Sequence, residues 1–417
     1  MINRRLVCLF PGFEPMRGDA HLRRFRRGAE SAAALWGLTI GIEEPPVAPG
    51  EAELFREMKI RLGGEAGDGD HWKTDTEIVL FDWGDLILAY AARPAWRRFV
   101  DGYHGLADFL FTGTVFRYFK VSWRYGLFYL FPVVLLLGAI ALAALAGALV
   151  GQIGGLLGAL LGLVLGIAIF AGLMFLATKR VHLLTALDDW AMARDICHGS
   201  NPVIRTRIAL QAQELARRFS AVGTKPKTEV VVAAHSLGAV MAVMALAETF
   251  ARPQDIGINA KPPRLHILTV GSSLLKTALH PAARDERAAV RTLVVEQALP
   301  WTDCQGLSDP INFYKSNPAT SLGIDNGRTP RVLKLSFKRM VKPETYKRIK
   351  RDFFRLHRQF VLPVERRGVY SFHMLLLGPN RVADFAYEKS VDQPPLKPLP
   401  DAPKEVSDVK QVSEAGR

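Results

Sequence analysis

Between Arg124 and Lys179 the chain contains no Asp, Glu, Lys or Arg, and no other feature limits its folding as strongly. Two apolar runs, Leu127 to Val150 and Ile153 to Ala177, each exceed the ~20 residues that a helix needs to cross the hydrocarbon core of a bilayer. A helix apolar on every face either spans a membrane or lies wholly inside a protein core. Two adjacent runs of this length favour the membrane. Gln152 and its neighbouring glycines form a very short polar break, so the spans are expected to make a tight hairpin that returns to its starting side. Arg117, Lys120 and Arg124 precede it and Lys179, Arg180 and Arg194 follow it. The positive-inside rule then predicts an inner-membrane, multi-pass protein with both soluble parts and both termini facing the cytoplasm. Trp123, Tyr125 and Tyr129 are expected in an interfacial belt. Gly154, Gly158, Gly162 and Gly166 form a smooth stripe, and Ala139, Ala143 and Gly147 give the first span a similar face. Such stripes pack a hairpin against itself or join copies into a homo-oligomer.

The chain as a whole is basic, with 54 Lys and Arg against 40 Asp and Glu. That excess suits anionic lipid headgroups, at about 1 kcal/mol per residue near the surface. The basic residues are scattered without a nucleic-acid-binding motif, so no nucleic-acid partner is expected. Leu6 to Phe10 is too short for a secretory signal. Cys8, Cys197 and Cys304 are odd in number and widely spaced, which fits a reducing compartment and packing roles. Gly63 to Asp70 reads as a solvated turn whose acids lack calcium-ligand spacing. From Gln393 onward, prolines and charges predict a disordered tail.

Strand and helix patterns alternate along the rest. Strands are predicted at Arg5–Phe10, Glu77–Phe81, Glu229–Ala234, Leu265–Val270, Leu299–Thr302 and Val332–Phe337. Helices are predicted from about His21, over Leu86–Phe99 and Tyr103–Tyr118, from Pro202 through Phe219, up to Phe250, from Pro281 to Val290, and over Pro343–Leu356. This alternation predicts a parallel sheet covered on both faces. The hairpin, 123–180, would interrupt one domain made of residues 1–122 and 181–385, followed by a tail over 386–417.

The most informative strand runs from Glu229 to Ala234 and enters His235-Ser236-Leu237-Gly238, after which an alanine-rich helix begins. A serine at such an apex projects its hydroxyl toward substrate, and the amide behind it can donate to an oxyanion. The pattern is G-x-S-x-G with Ala234 in the first glycine position. Val270-Gly271-Ser272-Ser273-Leu274 also follows a strand, but it lacks the later glycine and reads as a strand-end loop beside the site. A serine needs a base and a group to orient that base. Asp309, leading a turn into Pro310-Ile311, is the first choice of carboxylate and Asp303 the second. His357 is the first choice of base, with His373 second because it sits in an apolar run. His235 should point away from the serine.

These residues resemble the α/β-hydrolase family, particularly its lipase- and esterase-like members. The resemblance rests on Ala234-His235-Ser236-Leu237-Gly238 as the elbow, Asp309-Pro310-Ile311 as the acid turn and His357 as the base, in the family's chain order. Phe10-Pro11-Gly12-Phe13 is similar to the family's early oxyanion loop, with Pro-Gly where His-Gly is usual. The resemblance implies an α/β-hydrolase-type, mostly parallel sheet with helices on both faces, interrupted by the transmembrane hairpin. It implies a Ser236–His357–Asp309 triad, oxyanion amides at Leu237 and Phe13, and no metal or organic cofactor. The expected activity is cleavage of a hydrophobic acyl ester close to membrane lipids. A serine acyltransferase or a non-catalytic membrane scaffold are the alternatives.

Overall fold

The computed structural model describes residues 1–45, 51–65, 71–223, 225–251, 262, 264–327, 329–368 and 370–388. Eight strands, β1 (Arg4–Phe10), β2 (Thr39–Glu43), β3 (Phe55–Glu65), β4 (His71–Phe81), β5 (Thr228–His235), β6 (Leu265–Val270), β7 (Trp301–Gly306) and β8 (Arg331–Leu335), form one sheet. Its order is β2-β3-β4-β1-β5-β6-β7-β8. From β4 to β8 every neighbouring pair is parallel, while β2, β3 and β4 pair antiparallel. Every residue of β5 is buried, as its run of β-branched and small residues requires of a central strand covered on both faces. The antiparallel β2–β3 edge was not expected from the sequence. Its signal is the alternation of buried Met58, Ile60 and Leu62 with exposed Lys59 and Arg61.

Helices cover both faces. They are α1 (Gly18–Trp36), α2 (Gly84–Ala91), α3 (Ala95–Phe111), α4 (Thr114–Val121), α5 (Trp123–Gly151), α6 (Gly155–Val181), α7 (Leu183–His198), α8 (Pro202–Val222), α9 (Gly238–Ala251), α10 (Leu274–Ala278), α11 (Arg284–Arg291), α12 (Phe337–Met340), α13 (Pro343–Ile349), α14 (Phe353–Arg358), α15 (Phe372–Leu377) and α16 (Val382–Glu388). Val230, Val232 and Ala234 pack with α8, α9 and α11 on one face, and Val231 and Ala233 share a core with α1 and α15 on the other. The predicted helix over Pro343–Leu356 is in fact two, because Asp352 accepts a hydrogen bond from the Arg355 amide (2.9 Å) and starts α14 afresh. The residues beyond 388, including the predicted tail from Gln393, lie outside the described residues, as do 66–70 of the predicted Gly/Asp turn.

Helices α5 and α6 are long and apolar enough to cross a membrane. Only 11% and 6% of their most apolar stretches is buried, so neither helix is enclosed by the rest of the chain. They pack tightly on each other. A Cβ on Gly162 would lie 2.3 Å from the Gly147 carbonyl oxygen, and one on Gly166 3.1 Å from that of Ala143. The glycine stripe therefore serves the hairpin itself. The aromatic belt needs correcting: Trp123 is exposed, but Tyr125 and Tyr129 are fully buried. They sit in a third core with Leu106, Phe109, Tyr118, Trp190 and Phe313, where the Tyr129 hydroxyl donates to the Leu106 carbonyl (2.6 Å) and Tyr125 stacks on Phe313. The first turns of α5 belong to the α/β body.

Candidate active site

Where β5 hands over to α9, Ser236 adopts a left-handed backbone with φ of 53°. A non-glycine residue held there costs on the order of 1–3 kcal/mol, which surrounding contacts must offset. Two glycines make those contacts possible. A Cβ on Gly238 would lie 2.2 Å from the Pro11 carbonyl oxygen, and one on Gly12 would lie 2.7 Å from His235 Nδ1 and 3.0 Å from Ser236 Cβ. The elbow and the loop after β1 thus interlock, and the Trp83 indole pins that loop by donating to the Pro11 carbonyl (2.9 Å). The amides of Leu237 and Phe13 donate to none of the described residues.

Ser236 is 9% exposed, and its Oγ lies 3.4 Å from that of Ser273. Its amide donates to the Val270 carbonyl, and its carbonyl accepts from the Ser273 amide. The Ser272-Ser273 loop therefore packs beside the elbow, as read from the sequence. Ser272 Oγ is committed to the Leu274 amide (3.1 Å).

Asp309 and His357 meet directly. His357 Nδ1 donates to Asp309 Oδ2 at 2.6 Å, with both residues buried. The other oxygen, Oδ1, accepts from the Ile311 amide (2.9 Å), so the Asp-Pro-Ile turn fixes the carboxylate. Asn312 braces the same turn by donating to the carbonyls of Asp309 (2.7 Å) and Gly306 (3.1 Å). With Nδ1 committed to the acid, His357 Nε2 is left as the basic nitrogen, and it makes no hydrogen bond to a described residue. The ring lies over the end of β6, where a Cβ on Gly271 would be 3.1 Å from His357 Cε1. Since β6 neighbours β5, the histidine edge and the serine stand at adjacent strand ends. No hydrogen bond joins Ser236 Oγ to Nε2, so the geometry is an assembled acid–histidine pair beside a separate serine.

The second choices are occupied elsewhere. Asp303 lies inside β7 rather than after a strand, and it accepts from the Thr269 hydroxyl (2.5 Å) and the Gln305 amide (2.8 Å). Burial pushes its carboxyl up to about 6. His373, in α15, presses on α1 so closely that a Cβ on Gly28 would lie 2.0 Å from its Nε2. Burial drives it down to about 3. His235 makes no contact with the Ser236 hydroxyl. Its Nε2 donates to the His357 carbonyl (3.3 Å), and its ring lies 4.9 Å from the His357 ring. Burial holds it neutral, well below the usual histidine range. This support for the histidine's backbone was not expected from sequence, where the only clue is its place between two inward-facing elbow residues. Cys8, Cys197 and Cys304 are free and buried, with burial pushing all three thiols up.

Asp108, His198 and His280 offer ligand atoms within 4.8 Å of one another. The two Nε2 atoms lie 2.9 and 3.3 Å from Asp108 Oδ2. The Ala282 amide, however, donates to His280 Nδ1 (3.2 Å), which places the proton of neutral His280 on Nε2, toward the carboxylate. A metal on Nε2 needs the opposite tautomer, and Arg194 Nε stands 3.8 Å from the same oxygen. The donor set fits a polar tie of Asp108 in α3 to Arg194 and His198 in α7, with neutral His280 packed against it, better than a metal centre. Comparison with known proteins gives no match to a family model, a curated protein or a solved structure.

Proposed function

We propose that the chain is a membrane-anchored serine hydrolase of the α/β-hydrolase type that cleaves carboxylic esters of lipids or other amphiphiles. The observation that carries this reading is the left-handed Ser236 at a strand-to-helix turn, one strand away from a histidine already bound through Nδ1 to a buried carboxylate. Residues 1–122 and 181–385, with the buried first turns of α5, form the hydrolase domain, and the rest of the hairpin over 123–180 is an insertion that crosses the inner membrane. The basic flanks support a cytoplasmic location for both soluble parts and both termini. A homo-oligomer formed through the glycine stripe would have to displace α5 from α6, so the hairpin reading takes precedence.

In the proposed reaction, Ser236 Oγ leaves Ser273 and hydrogen-bonds to His357 Nε2. The hydroxyl oxygen attacks the ester carbonyl carbon as its proton passes to Nε2, and Asp309 holds the resulting imidazolium. The Leu237 and Phe13 amides receive the negative oxygen. Collapse of the tetrahedral adduct expels the alcohol, which takes the proton from Nε2 and leaves an acyl-serine. A water molecule then gives a proton to Nε2 and attacks the acyl carbon, and the acid departs as Ser236 regains its proton.

Exposed Phe111, Phe116, Phe119 and Trp123 lie in α3, α4 and the start of α5, beside Lys120. Aromatic and basic side chains of this kind favour the membrane–water boundary. They support an amphiphilic substrate over a freely soluble one.

The test is a fluorophosphonate probe applied to wild type, Ser236→Ala and His357→Ala in detergent. Label is expected on wild type and absent from Ser236→Ala, with His357→Ala slowed by about 100-fold or more. Label persisting in Ser236→Ala would move the nucleophile to Ser272 or Ser273, and an unlabelled wild type would end the enzyme reading.

A further inference from the structure

The loop that carries Asp309 and the helix that carries His357 both lean on one stripe of α5. The Arg124 guanidinium donates to the Leu307 carbonyl (2.5 Å) at the head of the acid loop. Two turns along, the Phe131 ring meets the Phe353 ring edge-on at 6.4 Å, at the start of α14. Arg124 and Phe131 are seven residues apart, so they lie on the same side of the helix and about 10 Å apart along its axis. Leu127 falls between them on that stripe. Just past the end of the second apolar helix, the His182 ring stands 5.9 Å from that of Phe354 in α14.

At this level α5 leaves the protein core. Tyr125, Phe128, Tyr129 and Pro132 are buried, whereas Val134 and Leu137 beyond them are exposed. Where the helix emerges, three apolar side chains remain uncovered: Leu127, Leu307 at 42% exposure and Phe353 at 40%. Apolar side chains left this open to water are unfavourable. Their position is continuous with the bilayer-facing surface of the hairpin, which supplies an apolar surrounding.

We infer that Leu307, Phe353 and Leu127 form a lip through which the acyl chain of a bilayer-borne ester passes sideways from the membrane to Ser236. The inference rests on the hydrolase reading above and deepens it. The substrate is a long-chain ester that stays dissolved in the membrane while its carbonyl reaches the site. Leu307 lies two residues before Asp309 and Phe353 four residues before His357, so the lip sits on the outer side of the segments that hold the acid–histidine pair. The lip selects for substrates presented in a membrane and leaves the chemistry at the serine unchanged.

The experiment uses the full chain in phosphatidylcholine vesicles containing anionic phosphatidylglycerol. Wild type and Leu307→Asp/Phe353→Asp are compared on a long-chain fluorescent ester dissolved in the vesicles and on p-nitrophenyl acetate in solution. The rate on the vesicle-borne ester, relative to that on the soluble ester, is expected to fall at least about tenfold in the double variant. An unchanged ratio overturns the lip. Fluorophosphonate labelling in detergent shows whether the variant is folded around a competent serine. A second readout is independent of turnover: a long-chain ester with a diazirine in its acyl tail is photolysed in the same vesicles, and adducts are mapped. Adducts at Leu127, Leu307 or Phe353 are expected in wild type, and their absence from all three overturns the lip. A wild type that fails to hydrolyse either ester but gives these adducts would sink the hydrolase reading and leave the lipid contact standing.

Discussion

Replacing Asp309 with Asn should disable the serine by reversing a single proton, and the structure fixes why. The carboxylate uses one oxygen to accept from the Ile311 amide and the other to accept from His357 Nδ1. In Asp309→Asn only one of those positions can hold an oxygen. If the amide nitrogen faced Ile311 it would meet another N–H donor at about the same separation, so the oxygen stays there and the NH2 group turns to the histidine. His357 must then accept at Nδ1 and carry its proton on Nε2. In that tautomer it cannot take a proton from Ser236. Loss of the correct tautomer in a serine–histidine–acid set costs on the order of 10⁴ in rate, and each tenfold loss corresponds to about 1.4 kcal/mol of barrier. We therefore expect fluorophosphonate labelling of Asp309→Asn to slow by about 10³- to 10⁴-fold across neutral pH. Its thermal unfolding should stay close to wild type, because the turn keeps its Ile311 and Asn312 bonds. Asp303→Asn is the internal control, since Asp303 touches no histidine, and it should label within a few-fold of wild type. If Asp309→Asn labels within tenfold of wild type, Asp309 does not set the tautomer of His357 and the proposed assignment of roles is wrong.

Gly238→Ala would drive a methyl group to 2.2 Å from the Pro11 carbonyl oxygen; overpacking of this kind costs about 1–3 kcal/mol, so a lowered unfolding temperature and lost labelling should appear together. His235→Phe should slow labelling by about tenfold by freeing the His357 carbonyl, while His235→Gln, which can still donate to it, should recover most of the rate. The buried Asp303 carboxyl, raised from 3.8 to about 6, binds its proton more tightly folded than unfolded. Its contribution therefore favours folding below pH 4 and is lost as pH rises through 6. The difference in unfolding temperature between Asp303→Asn and wild type should then shift in favour of the variant between pH 4 and pH 7, and a pH-independent difference would contradict the assignment.

The parallel strands were legible because each is a short β-branched or apolar run bounded by turn residues, and Ser236 stood out because a strand, a small-residue turn and a helix meet there. The pairing of Asp309 with His357 could be proposed from chain order alone, yet their contact depends on a break at Asp352 that starts α14. That break is written only as one capping residue inside an otherwise helical pattern. The β2–β3 edge is hard to read from sequence because Met58, Ile60 and Leu62 alternate with charged residues and the strand runs on into a Gly-rich end at Gly63-Gly64. Tyr125 and Tyr129 misled for another reason. Aromatic side chains next to an apolar run suit a lipid boundary and a protein core equally, and only the partners Trp190 and Phe313, distant in sequence, decide between them.

The burial of the first turns of α5 changes what it would take to make a water-soluble form of this protein. Cutting out the whole charge-free stretch would strip Trp190 and Phe313 of Tyr125 and Tyr129 and leave the acid turn without backing. The removable part begins only after Pro132, where outward-facing side chains are apolar and uncovered. A bridge from about Val133 to Met174 would need to span little more than the 8–10 Å between packed helices. The hairpin thus has two parts with different fates under such surgery, an outer portion that touches little of the α/β body and an inner portion without which the site has no wall.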